Sequence, residues 1–96
     1  MIEKEGWVEE EIRILIGPNP VLSIIRFKER DADFTFACVC DYYWHDNSVV
    51  LRGAEHAPRI REARALKRHF QAKGIKTVEW ERRGGIGPRW VTLKIG

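Results

Sequence analysis

The sequence predicts an α+β domain: a mostly antiparallel sheet of six strands, or a mixed one, with one amphipathic helix packed on one face, in the order β-β-β-β-α-β-β. Two periodicities indicate this fold. Several segments alternate apolar and polar side chains, as half-buried strands do, and one segment repeats apolar residues every three or four positions, as a surface helix does. A length of 96 residues suits one hydrophobic core. We therefore treat residues 1–96 as a single domain.

The first half of the chain predicts a four-stranded meander. Its strands are expected at Trp7–Ile16, Val21–Lys28, Phe34–Trp44 and Val49–Arg52. Gly17–Pro20 ends the first strand, because glycine tolerates unusual backbone angles and proline cannot donate to a ladder. His45–Ser48 supplies residues that tolerate left-handed backbone, so the fourth strand should pair back on the third. On the first strand the expected inward side chains are Val8, Ile12, Ile14 and Ile16.

The second half predicts one helix and two further strands. Helix is expected from 58 to 73, since Pro58 suits a first turn and Gly74 suits the left-handed position after a helix. Its apolar positions are Ile60, Ala63, Leu66 and Phe70. Ile75–Arg82 and Arg89–Ile95 alternate again. A strand, helix, strand run permits a right-handed crossover, so the fourth and fifth strands can lie parallel.

Composition bears on the cellular compartment in which the protein is expected. The sequence is 44% hydrophobic and 32% charged, in the range of folded globular chains. It has no apolar run of about 18 residues, and Met1–Glu11 is acidic rather than a basic signal region. Cys38 and Cys40 are separated by one residue, a spacing that disfavours a disulfide between them. We expect a cytoplasmic protein that does not insert into membranes.

The clearest functional signal is a concentration of cations in the second half of the chain. The predicted helix carries Arg59, Arg61, Arg64, Lys67, Arg68 and Lys73, and Arg82, Arg83 and Arg89 flank the glycine-rich turn before the last strand. The net charge is +3, with acidic residues crowded at the start of the chain. Cations on one helix face can neutralise phosphates. The alternative is a merely solvated face, in which His69 also points to water.

Other residue types were weighed as sites. Cys38, Cys40, His45 and His56 have ligand chemistry for zinc, but the two cysteines lie on one aromatic strand and are predicted to fill the core. Trp44, Trp80 and Trp90 are likewise expected to pack, whereas Tyr43 and His45 are expected to be exposed. The sequence therefore predicts no metal, no cofactor and no catalytic constellation.

Arg52–Gly53 ends the fourth predicted strand just before the helix, and Gly74–Trp80 follows the helix. This strand, helix, strand order resembles the centre of GNAT-type N-acyltransferases, and Ala65–Lys67 through Glu79–Arg83 is similar to small bacteriophage proteins. The GNAT resemblance implies a related topology and an acyl-CoA site. The Arg/Gln-x-x-Gly-x-Gly/Ala loop of that family is not matched by Arg52–Ile60, so no catalytic residue is carried over.

Three functions are consistent with these observations. The leading hypothesis is a non-enzymatic binding module, a phage or mobile-element accessory protein that engages nucleic acid or an acidic protein surface through its basic helix. The alternative is a minimal or degenerate GNAT-like acyl-CoA-binding N-acyltransferase, with Arg52–Arg59 near the phosphates and His56 or Tyr43 in proton transfer. The third is a homo-oligomer paired through an exposed edge strand.

Overall fold

A computed structural model describes residues 6–29, 35–81 and 89–95 of the chain. Its strands are β1 (Trp7–Ile16), β2 (Asn19–Lys28), β3 (Phe36–Tyr43), β4 (Ser48–Arg52), β5 (Thr77–Glu81) and β6 (Trp90–Lys94). A single turn of 3₁₀-helix, Trp44–Asp46, follows β3, and the helix α1 spans Ile60–Ala72. The six strands form one sheet whose spatial order is the same as their order in the chain.

The predicted fold class is confirmed, and the sheet is mixed. Neighbouring strands are antiparallel except β4 and β5, which run parallel from the pair Ser48 and Thr77 to the pair Leu51 and Trp80. The connection between parallel strands must cross back over the sheet, and here it contains α1. The helix consequently covers one face of the sheet.

Two turns depend on backbone conformations that their residues favour. Gly17 has φ +63° between β1 and β2, and Asn47 has φ +52° between the 3₁₀ turn and β4. Both angles lie in the left-handed region, which glycine and asparagine adopt more readily than other residues. Gly74, with φ +84°, ends α1 in the same way. The Gly74 cap and the turn before β4 are confirmed. The first turn is shorter than predicted, because Asn19 and Pro20 already belong to β2 and pair with Ile16 and Leu15.

The first turn of α1 differs from the prediction. The helix begins at Ile60, two residues after Pro58, because Arg59 is extended, with φ −77° and ψ 170°. Arg59 is the N-cap residue, and the carboxylate of Glu62 accepts its backbone N–H at 2.8 Å. The apolar pattern also shifts, since Ile60 is 72% exposed while Ala65 is buried. The spacing of apolar residues therefore did not predict correctly which residues of the first turn of α1 face the sheet.

The hydrophobic core lies between α1 and the covered face of the sheet. The helix contributes Ala65, Leu66 and Phe70, all of them buried. The sheet contributes Ile25, Phe27, Phe36, Cys38, Cys40, Tyr42, Val49, Leu51 and Val78. These strand residues occupy alternate positions, so one side of each strand packs into the core while the other side stays outside it.

The far half of β1 is exposed, contrary to the inward orientation predicted for it. Ile12, Ile14, Leu15 and Ile16 are between 47% and 68% exposed. The pairing with β2 shifts register between Ile12 and Ile14 and again between Ile14 and Leu15. The covered face ends before this point, because α1 contacts β1 near Glu10 rather than near its end. The alternation of apolar residues on β1 therefore extends past the part of the strand that the core covers.

Candidate nucleic-acid interface

The outer face of α1 is a cationic surface. Because Leu66 and Phe70 turn toward the sheet, the opposite side of the helix faces solvent. Its exposed residues are Arg61, Arg64, Lys67, Arg68 and Gln71. The predicted exposure of the basic side chains is confirmed for Arg61, Arg64, Lys67 and Arg68.

The cations on this helix differ in whether they have an acidic partner. Arg61 Nη1 lies 2.8 Å from Glu29 Oε2, and Lys73 Nζ lies 3.2 Å from Glu10 Oε1. Arg64, Lys67 and Arg68, here named the cationic triplet, form no ion pair with any residue in the ranges that the structure describes. Positions spaced by three and four residues lie on one side of a helix. The triplet is therefore a contiguous positive patch that no carboxylate in the described ranges neutralises.

The remaining predicted site residues fall into other places. Arg59 is exposed at the N-cap of α1. Arg89 pairs with Glu81, with 3.4 Å between Nη2 and Oε2, at the surface beside β6. Arg82 and Arg83 lie outside the described residues. The structure thus brings the helical cations together, while Arg89 belongs to the end of the sheet.

A buried polar cluster ties the last turns of α1 to β1, and sequence reasoning missed it. Glu10 Oε1 accepts a hydrogen bond from His69 Nε2 at 2.9 Å. Glu10 Oε2 accepts hydrogen bonds from Ser23 Oγ, at 2.6 Å, and from the Tyr42 hydroxyl. The Glu10 side chain is only 7% exposed. His69, expected on the solvent side, is half-buried because it turns toward this carboxylate.

The environment of Glu10 favours its charged form. Burial by itself raises the pKa of a carboxyl group, since the charged form loses water. Hydrogen bonds from His69, Ser23 and Tyr42, together with the charge of Lys73, outweigh burial and lower the pKa of Glu10 from 4.5 to about 2. The charge of Lys73 is thus partly neutralised by Glu10, so Lys73 is less suited than the triplet to bind an external anion.

The two cysteines are core residues, as predicted. Both are free and buried. Burial raises the pKa of the Cys38 thiol to about 12, and it raises the pKa of Cys40 further, where Glu10 adds repulsion. A thiolate is the reactive form of cysteine, so neither side chain is activated as a nucleophile.

The tryptophans differ in exposure. Trp44 packs parallel to Tyr42, with ring centroids 5.0 Å apart, and donates its indole N–H to the Pro20 carbonyl at 2.6 Å. Trp80 is half-buried on β5. Trp90, expected to pack, is 43% exposed, and the Arg52 guanidinium carbon lies 5.7 Å from the centre of its ring. Trp90 is therefore an accessible aromatic face with a cation beside it.

A cavity of about 140 Å³ lies where the parallel strands β4 and β5 end and α1 is about to begin. We name it the aromatic pocket. The side chains that line it include Phe36, Arg52, His56, Trp80, Glu81 and Trp90. The carboxyl ends of parallel strands are where open sheets with crossover helices commonly bind ligands. The residues reach this pocket from four strands and from the β4–α1 connection.

His56 is held at the pocket by two backbone carbonyls. Its Nδ1 lies 2.8 Å from the Ala57 oxygen and its Nε2 lies 3.0 Å from the Thr35 oxygen. A carbonyl oxygen only accepts, so both contacts are hydrogen bonds when the imidazole carries two N–H groups. These bonds raise the pKa of His56 above 6.5. The two carbonyls therefore favour the protonated form of His56 at the pocket.

The chain gives no match to any protein-family model, to any curated protein or to any solved structure in the comparisons made. In the part of the chain that the structure describes, no helix is long and apolar enough to cross a membrane. Within the same ranges, no three side chains of histidine, cysteine, aspartate or glutamate form a group suited to a metal ion.

Proposed function

We propose that this chain is a non-enzymatic binding module that holds nucleic acid on the outer face of α1. The observation that carries the proposal is the cationic triplet, which has no acidic partner among residues 6–29, 35–81 and 89–95, while Arg61 and Lys73 on the same helix have carboxylate partners. Each lysine or arginine that meets a phosphate releases condensed counterions, and this release drives association. Roles in a phage or mobile element, and a cytoplasmic location, stay predictions.

Charge removal at the triplet tests this function. Anisotropy of labelled single- and double-stranded DNA and RNA is measured at several salt concentrations for the native chain and for a variant with Arg64, Lys67 and Arg68 changed to Gln. We expect this variant to bind more weakly than the native chain. On duplex DNA the magnitude of its slope of log K against log salt should be smaller than the native value by about 2 to 3. Glutamine keeps the helix propensity close to that of the native residues.

A matched variant controls for net charge. Arg13, Lys76 and Lys94 are exposed and lie off the helix, so changing these three to Gln removes the same charge elsewhere. Equal weakening in both variants would mean that binding follows net charge and not the triplet. No binding by the native chain at low salt would overturn the proposal and favour an acidic protein surface as the partner.

Self-association through β1 is a second candidate function. We propose that two copies pair along this edge strand, because its far half exposes Ile12, Ile14, Leu15 and Ile16. Glu11 and Arg13 flank Ile12, so antiparallel pairing centred on Ile12 places Arg13 of each copy opposite Glu11 of the other. Unpaired backbone groups on an edge strand and opposite charges across it both favour such pairing.

Acyl-CoA binding, the alternative drawn from the GNAT resemblance, has one observation in its favour. Arg52 and His56, on the connection assigned to the phosphates, both line the aromatic pocket. Coenzyme A at 100 times its dissociation constant would stabilise the chain by about 2.7 kcal/mol, so a thermal shift tests this proposal directly. An unchanged melting temperature at millimolar coenzyme A would exclude it.

A further inference from the structure

We infer that the aromatic pocket receives one unstacked base of a single-stranded nucleic acid whose backbone lies along the cationic face of α1. This inference rests on the nucleic-acid function proposed above and names the class of strand. It assigns Trp90 as the stacking residue.

The size of the pocket favours a single ring system. Its volume is about 140 Å³, whereas sites that enclose a drug-sized ligand occupy roughly 300–1,000 Å³. A planar base fits that smaller space, and a complete nucleotide cofactor does not. The sugar and phosphate of the same nucleotide must then remain outside, where a strand can continue.

The walls of the pocket have the chemistry that a base requires. Trp90 is 43% exposed, with the Arg52 guanidinium over its ring, so a base that stacks on the indole takes the other ring face or displaces the guanidinium. The Nε of Arg52 is bound to Asp41 at 2.6 Å, which leaves its Nη groups to donate to a base. Glu81, also on the wall, can accept from an exocyclic amine. The rings of Phe36 and His56 meet edge-on, with 5.6 Å between their centroids. Stacking is available to every base, so this arrangement favours binding with little sequence preference.

A path connects the pocket to the helix. Phe36 and His56 line both the aromatic pocket and a neighbouring depression of about 270 Å³. Thr35 lines that depression and a further one at the start of α1, whose other walls include both cations and carboxylates: Arg59, Arg61, Glu29 and Glu62. A backbone that leaves the pocket along this path would meet Arg59, pass the Arg61–Glu29 ion pair and then reach the triplet. Single-strand binders combine such a cationic track with aromatic stacking.

Strand type and base content provide the test. Binding of a short oligothymidylate is compared with binding of an abasic strand of the same length, which keeps the phosphates and lacks the bases. For the native chain we expect the abasic strand to bind about tenfold more weakly. For Trp90→Leu we expect weaker binding to oligothymidylate than the native chain shows. The variant should bind the abasic strand as tightly as it binds oligothymidylate, and its binding to duplex DNA should equal that of the native chain. Trp90→Phe, which keeps a ring, should recover part of the loss.

Trp7→Leu is the matched control, because Trp7 lies on β1, at the opposite edge of the sheet from β6. If native protein binds nucleic acid but does not distinguish the abasic strand, the pocket inference is wrong while the helix proposal stands. If the native chain binds neither strand nor duplex, both fail. If AMP or coenzyme A binds as tightly as the oligonucleotide, the pocket serves free nucleotides and the inference is overturned.

Discussion

Glu10 and His69 meet across 59 positions of the chain, with 2.9 Å between the carboxylate Oε1 and the imidazole Nε2. The first residue belongs to the edge strand β1 and the second to the last turns of α1. Ser23, Tyr42 and Lys73 complete the surroundings of the carboxylate, so every oxygen of this buried charge has partners. The helix is thus fixed to the sheet by polar contacts as well as by its apolar face.

Removing the Glu10 carboxylate should destabilise the fold strongly. Glu10→Ala leaves the buried hydroxyls of Ser23 and Tyr42 without their acceptor and His69 without its partner, and we expect a loss of about 3 kcal/mol in the free energy of unfolding. Urea denaturation measures it. The control is Glu11→Ala, whose pairs with Arg13 and Arg26 are exposed and screened by water, so its loss should be much smaller than that of Glu10→Ala. Similar losses for both variants would contradict a central role for Glu10.

Stability should also fall in acid through the same carboxylate. The pKa of Glu10 is lowered from 4.5 to about 2 in the folded chain, so its contribution is complete above pH 4.5 and is lost as the pH falls toward about 2. The difference in unfolding free energy between native protein and Glu10→Gln, measured across that interval, isolates this group from other carboxyls. A difference that does not change with pH would show that the charge is not stabilised.

A methyl group at Gly6 should not be tolerated. Gly6 is buried just before β1, and a Cβ there would overlap the Phe27 ring and lie 2.7 Å from the Lys28 carbonyl oxygen. We expect Gly6→Ala to cost about 2 kcal/mol by overpacking. Gly17→Asn is the comparison, because Gly17 has open space and a left-handed backbone that asparagine accepts. Thermal melts of both variants should show a large decrease only for Gly6→Ala.

His56 should titrate above the ordinary pH for histidine. The carbonyls of Ala57 and Thr35 favour its protonated form, as does Glu62, with 3.9 Å between Nδ1 and Oε1, whereas Arg59 opposes it. Because the folded pKa is raised, the contribution of His56 to stability is present below pH 6.5 and is lost as the pH rises through the folded pKa. NMR titration of the imidazole, assigned with His56→Gln, measures this pKa. A midpoint at or below 6.5 would refute the expectation.

The exposed end of β1 should control self-association. Ile14→Lys places a charge on the proposed contact between copies, and we expect it to weaken a dimer at least tenfold, as seen by sedimentation or light scattering. Ile60→Lys changes an exposed apolar residue of the same type on α1 and should have no effect. A native chain that is monomeric at high concentration would count against pairing through β1.

Strand positions were largely predictable, because alternation reports directly on which side of a strand is covered. The bounds predicted for β1, Trp7–Ile16, coincide with those observed. Glu10 was the informative exception: it occupies the apolar register between Val8 and Ile12, and a charge at such a position indicates a buried partner. The identity of that partner, His69, was beyond reach, since register fixes a face but not which residues of a distant helix cover it.

The candidate site was predictable in part for a similar reason. Charge spacing on α1 identified the cationic face, but only the fold determines that Arg61 meets Glu29 while Arg64 meets no acid among the described residues. The aromatic pocket was not predicted as a site. Arg52 and His56 were noticed at a strand end, whereas Trp90 was expected to pack because of its residue type. The alternation along β6 places Trp90 on the same side as Thr92 and Lys94, which are also exposed.

The strand order of the sheet has a consequence for how the chain folds. Each strand pairs with the one before it, so the sheet can grow by successive addition, and no strand must insert between two already paired. Most strand contacts then close short loops, which favours rapid folding for a protein rich in β structure. The crossover from β4 to β5 through α1 and the Glu10–His69 contact join residues that are far apart in the sequence. We expect the formation of these two contacts to set the rate at which native packing is completed.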